Sequence, residues 1–175
     1  MKYYDIAFGG FDIDTGFAKR LGFESIFRLG TDIQYVDVDS KTAPHAKGDA
    51  FIAYGSDKTR LLKEARNGAV LSISDFFIDR KLMAIIKDLG TKLIIPLSSI
   101  LEASYIERSK RMYRAERFIR LARKSGMEVY FASMARSQLY LNSYVQIIEL
   151  AKALGVEEAY VRTGMNAIGS IMIKR

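Results

Sequence analysis

Short apolar runs alternate with capped helical segments along almost the whole chain, and this alternation restricts the fold more than any other feature. Tyr3–Phe8, Phe23–Leu29, Ile33–Val38, Ala50–Tyr54, Ala69–Ile73, Lys92–Ile95 and Glu128–Ala132 are short and rich in β-branched or aromatic residues, as strands are. Helices are expected over Asp14–Leu21, Lys58–Arg66, Asp79–Leu89, Ser98–Leu101, about Ser104–Lys124, Ser143–Leu154 and Val156–Arg162. Asp14, Asp57, Asp79 and Asn142 stand where N-caps belong, and Gly22, Asn67-Gly68, Gly90, Gly126 and Gly155 where helices stop. Ala167–Ile173 fits either a helix or a strand, and Asp39–Gly48, with Pro44, reads as a polar loop. Continuous apolar strands separated by helices imply a mostly parallel sheet covered on both faces. Seven such units can close into a small TIM-barrel-like α/β fold, with an open doubly wound sheet as the competing arrangement. With no linker, repeat or low-complexity tract, residues 1–175 are expected to form one domain.

Composition removes several kinds of chemistry. There is no cysteine, hence no disulfide, thiol nucleophile or cysteine-held metal. The single histidine, His45, rules out any constellation that needs two, and beside Pro44 it reads as a surface loop residue. Neither G-x-G-x-x-G nor a phosphate-loop motif occurs. The N-terminal MKYYDIAF has no signal-type apolar run, and no stretch is long and apolar enough for a membrane span, so a cytoplasmic protein without a membrane partner is expected.

Charge is concentrated in one place. Between Ser104 and Ser125, eight bases (Arg108, Lys110, Arg111, Arg114, Arg117, Arg120, Arg123, Lys124) oppose two acids (Glu107, Glu116), which is +6 of the chain's net +7. At about 100° per residue, Met112, Ala115, Phe118, Ile119 and Ala122 share one helical face. Lys110, Arg114, Arg117, Arg120 and Lys124 share the opposite one. Like charges at this spacing repel by a few tenths of a kcal/mol per pair, and arginine's planar fork suits phosphate. The stripe therefore points to a nucleic-acid backbone, against the alternative of a merely solvated face.

Carboxylates at strand ends form a second, weaker pattern. Asp5, Asp12, Asp14, Asp75 and Asp79 lie at or after strands, where barrel enzymes carry their sites. Asp14 and Asp79 are accounted for as helix caps; Asp5, inside a strand, suits a buried hydrogen-bonded role. Ala132–Ser137, with Arg136, follows a strand and offers hydroxyls and one arginine to a phosphate, or simply connects two elements.

The order of these features resembles protein component 3 of archaeal ribonuclease P. Tyr4-Asp5-Ile6 with Ala18-Lys19-Arg20-Leu21-Gly22-Phe23 is similar to the family's opening, and Asn67-Gly68-Ala69-Val70-Leu71 through Leu101 to its centre. The C-terminal half is similar to the family in its Arg-rich helix Arg108–Lys124, its Ser133–Ser137 loop and Ile148-Glu149-Leu150-Ala151-Lys152-Ala153-Leu154-Gly155. Two departures stand out: Met134 where the family has glycine, and Asn142-Ser143 where it has Arg-Pro. The resemblance implies a barrel-like fold related to the PHP phosphoesterases, without their metal cluster. It also implies a non-catalytic subunit, binding no cofactor of its own, that works beside the ribonuclease P RNA and a ferredoxin-like protein subunit. In such a complex the RNA uses Mg²⁺ to cleave the 5′ leader from precursor tRNA. RNA contacts are then expected from Arg108, Lys110, Arg111, Arg114, Arg117, Arg120, Lys124 and Arg136. The competing expectation is a small α/β-barrel enzyme for a phosphorylated metabolite, with Asp5 and Asp75 as acid/base groups or metal ligands.

Overall fold

A computed structural model of the chain describes residues 1–40 and 51–172; the loop reading for Pro44 and His45, the strand start at Ala50 and the end of the chain from Ile173 lie outside the described residues. In order, the elements are β1 (Tyr4–Phe8), α1 (Thr15–Arg20), β2 (Ser25–Leu29), β3 (Gln34–Asp37), β4 (Phe51–Gly55), α2 (Lys58–Arg66), β5 (Val70–Ile73), α3 (Arg80–Asp88), β6 (Leu93–Pro96), α4 (Ser98–Leu101), α5 (Tyr105–Lys124), β7 (Val129–Ala132), a 3₁₀ turn (Gln138–Tyr140), α6 (Tyr144–Ala153) and α7 (Glu158–Met172). Every strand pair is parallel. Strands β3 to β7 form one five-stranded sheet in chain order, and β1 and β2 form a second sheet.

Two further contacts bear on how these sheets meet. The Met134 amide donates to the Ile6 carbonyl (2.6 Å) and the Phe8 amide to the Ala135 carbonyl (2.9 Å), so β1 lies beside the chain as it leaves β7. A parallel bridge joins Leu29 at the end of β2 to Ile33 just before β3.

Strands β5, β6 and β7 are buried at every position, which explains their apolar sequences, interrupted by the buried Ser72 in β5. Their alternate residues serve two cores. Leu71, Leu93, Ile95, Val129 and Phe131 pack with the helices, including Phe118, Ile119 and Ala122 of α5. Val70, Ile94 and Tyr130 face the other way and join Ile6, Phe8, Leu29 and Ile52 of β4, with Ile168 of α7.

The caps follow the sequence signals at Asp14, Asp57 and Asp79, whose carboxylates accept backbone amides at the helix starts. Helix α6 is a correction. Ser143, not Asn142, caps it: the Ser143 hydroxyl accepts from the Gln146 amide while the Gln146 side chain accepts from the Ser143 amide (2.7 Å). Asn142 instead donates to the Tyr140 carbonyl. Helix α7 is a second correction, because Glu158–Met172 is continuous rather than a short helix followed by an undecided segment. Packing holds it together: Val161, Gly164, Met165, Ile168 and Gly169 are all buried. At Gly169 a Cβ would sit 2.5 Å from the Tyr4 ring, so only glycine allows this close approach to β1.

Candidate nucleic-acid interface

Helix α5 divides along its length as its periodicity requires. Ala115, Phe118, Ile119 and Ala122 are buried, and Met112 packs at the margin of the core. Phe118 is 1% exposed and meets Phe76 at a ring separation of 6.3 Å. Lys110, Arg114, Arg117, Arg120 and Lys124 are all exposed. Within this stripe Lys110 lies 3.7 Å from Glu107 and Arg120 lies 3.8 Å from Glu116, both long surface ion pairs that contribute little. Among the described residues Arg114, Arg117 and Lys124 make no ion pair; the Arg117 guanidinium lies over the Tyr113 ring, 5.5 Å from its centre. These cations are available to an outside anion.

The remaining bases of the helix have internal duties. Arg108 donates to the carbonyls of Leu101 (2.7 Å) and Ala103 (3.2 Å), and Arg111 to that of Ser99, so both tie α5 to the end of α4. Arg123 pairs with Glu157 (2.7 Å) over the Tyr160 ring, fastening α5 to the start of α7.

Arg136 lies elsewhere. Its guanidinium rests over the Phe8 ring (4.4 Å) and near the Tyr54 ring (5.7 Å), at the ends of β1 and β4. It lines a polar cleft of about 400 Å³ with Tyr54, Asp75, Ser99, Glu102 and Arg111, at the C-terminal ends of β4, β5 and β6. That convergence of groups from residues 54 to 136 has no local sequence signal. Just before Arg136, Met134 adopts φ +45°, a left-handed conformation that glycine takes without strain. Its side chain is fully buried, with the Ser72 hydroxyl directed at its sulfur (3.2 Å).

Asp5 and Asp75 are not brought together as a pair in this cleft. Asp75 is exposed in it, whereas Asp5 is fully buried within β1. One Asp5 oxygen accepts the Ser133 amide (2.7 Å) and the other has no hydrogen-bond partner among the described residues. Burial pushes its carboxyl up to about 6, against the opposing pull of the Ser133 hydrogen bond. Among the described residues no three acidic or imidazole groups gather as metal ligands, and no helix is long and apolar enough to cross a membrane.

Comparison with known proteins identifies fold rather than activity. No family model matches the chain, and no curated protein matches it. A solved structure described only as an uncharacterized protein superposes with a TM-score of 0.56 at 10% identity, over 86% of this chain. The chain spans 44% of that neighbour's length. The likeness supports the α/β architecture with its mostly parallel sheet.

One group of residues was not singled out from the sequence. Tyr113 falls inside the basic arc of α5 by the same periodicity, and is 60% exposed there. Phe77 and Ile78, from the β5–α3 connection, line a groove of about 220 Å³ with Tyr113, Arg114 and Arg117. Helical spacing was enough to find Tyr113; nothing local marks the other two.

Proposed function

We propose that the chain is an RNA-binding subunit of ribonuclease P, the ribonucleoprotein that removes the 5′ leader from precursor tRNA. The observation that carries this reading is the two-sided α5: one face is locked into the core, and the other presents five exposed bases, three of them without a carboxylate partner among the described residues. The choice of this RNA rests on the resemblance to protein component 3. In this reading the RNA subunit performs the chemistry with its own Mg²⁺, a ferredoxin-like protein is the partner, and the complex works in the cytoplasm. The contribution of this chain is electrostatic. Phosphates that approach the stripe release condensed counterions, and the folded RNA tolerates close packing of its backbone at lower salt. A barrel-like ring belongs to the same proposal, supported by the hydrogen bonds from β1 to the β7 exit and by the Leu29–Ile33 bridge.

The deciding experiment measures ribonuclease P RNA binding as salt is varied. Arg114→Gln, Arg117→Gln and Arg120→Gln together are expected to flatten the log–log salt slope by roughly two units, and reconstituted processing then requires more Mg²⁺. Lys63→Gln with Arg66→Gln, on exposed positions of α2, is the control and has a smaller effect. An unchanged slope in the triple variant refutes the assignment.

The cleft holding Tyr54, Asp75, Arg111 and Arg136 favours a second reading, a small enzyme acting on a phosphorylated metabolite. Turnover of sugar phosphates by the purified chain, lost in Asp75→Asn, distinguishes it from the subunit reading, in which the isolated chain cleaves neither metabolite nor precursor tRNA.

A further inference from the structure

The groove between α5 and the β5–α3 connection differs from the rest of the basic surface because its floor and walls are apolar. Phe77, Ile78 and Tyr113 supply apolar surface beside the buried Phe76, and Arg114 and Arg117 complete the lining. We propose that this groove takes an unpaired nucleobase of the bound RNA, stacked against Tyr113 and Ile78, with the adjoining phosphates on Arg114 and Arg117. The proposal rests on the RNA-binding reading and specifies which form of RNA this end of the stripe prefers.

Four observations converge on it. First, Tyr113 is 60% exposed and Ile78 41% exposed, so a large aromatic ring and an aliphatic side chain are left open to solvent beside a cationic stripe. Second, Arg117 lies over the Tyr113 ring without a carboxylate among the described residues, a planar cation and a planar ring side by side, on which a base can stack. The contrast with Arg123 is informative, since that arginine covers Tyr160 but is neutralised by Glu157. Third, the groove's volume of about 220 Å³ is of the size of one base rather than of a folded peptide element. Fourth, the wall is anchored in the core. Phe76 takes a left-handed φ of +54° while fully buried against Phe118, which fixes the direction in which Phe77 and Ile78 leave β5. Lys58 lies over the Phe77 ring at 5.0 Å and is held there by its ion pair with Asp79 (3.2 Å). A duplex keeps the faces of its bases stacked inside the helix, so it meets the arginines and leaves the apolar floor unused.

The test compares two RNA probes of equal length and charge: a hairpin with 2-aminopurine in an unpaired loop, and a fully paired duplex. Both are titrated into the full chain. Tyr113→Ala is expected to weaken hairpin binding roughly ten-fold or more, with an unchanged salt slope and no effect on the duplex. Quenching of 2-aminopurine on binding is lost in the same variant and retained in Tyr113→Phe. Arg114→Gln with Arg117→Gln flattens the salt slope for both probes. If the chain binds both probes and Tyr113→Ala weakens neither, or both equally, the stacking site is wrong while the RNA-binding reading stands. Failure to bind either probe overturns both. Binding of an acidic peptide through Tyr113, with both RNA affinities intact, assigns the groove to a protein and overturns the proposal.

Discussion

Asp5→Asn is expected to stabilise the protein at neutral pH and to do nothing at pH 4. Asp5 is fully buried, and its carboxyl is raised from 3.8 to about 6 because burial disfavours the charged form. At about 1.4 kcal/mol per unit, the folded state carries a penalty of roughly 3 kcal/mol once the group is ionised. The direction is fixed by proton binding. Between about pH 4 and pH 6 the folded state holds the proton and the unfolded state has lost it, so stability falls as pH rises through that window. Above it the loss is complete. Asparagine keeps an oxygen that accepts the Ser133 amide (2.7 Å for the native carboxylate) and carries no charge at any pH. Carboxylates such as Asp32 and Asp79 are shifted the other way by their hydrogen bonds to Arg28 and to backbone amides, and their contribution is lost only as pH falls. They are common to both proteins and cancel in the difference. Urea denaturation of both proteins at pH 4, 5, 6 and 7 measures the effect. The advantage of the variant should grow from near zero to about 3 kcal/mol across the series. A difference that stays constant with pH shows that the Asp5 carboxyl is not desolvated in the folded protein, and removes the reasoning.

Three further substitutions probe the scaffold under the interface. Phe118→Ala empties a core site beneath α5 and is expected to cost about 3 to 5 kcal/mol; a loss below about 1 kcal/mol by denaturation would place the wrong face of the helix inward. Met134→Gly relieves a left-handed backbone worth about 1–2 kcal/mol but removes a buried side chain worth about 2–5 kcal/mol, so a net loss is expected in urea, and a gain would show that the methionine packs poorly. Gly22→Ala combines φ +89° with a Cβ 2.2 Å from the Tyr144 ring, and should lower stability by at least about 1 kcal/mol, since Tyr144 is itself stacked on Tyr3; an unchanged midpoint would mean that the start of α6 is free to move.

Much of this protein is written locally. Asp14, Asp57 and Asp79 mark helix starts because a short side-chain oxygen reaches backbone amides two or three residues on, which needs no tertiary partner. The two faces of α5 follow from 100° per residue and from the spacing of Ala115, Phe118, Ile119 and Ala122 alone. Parallel strands were likewise legible, since β5, β6 and β7 are apolar on both faces, Ser72 excepted, because both faces are covered. Other features depend on residues far apart in the chain. The local excess of charge groups Arg108 and Arg111 with the other bases, yet the carbonyls of Leu101, Ala103 and Ser99 engage them. Asp5 becomes a buried acid with a raised carboxyl only once the folded chain removes β1 from water, and the Ser133 amide that offsets part of this cost comes from 128 residues away. Helix α7 runs unbroken because it packs across β1 and β7, overriding the ambiguity of its own sequence. The groove joins Phe77 to Tyr113 across two elements, and the cleft joins Tyr54 to Arg136 across four strands. Hydrogen-bond reach and helical pitch act within a few residues and can be read from sequence; burial, desolvation and the meeting of distant side chains exist only once the chain has closed on itself.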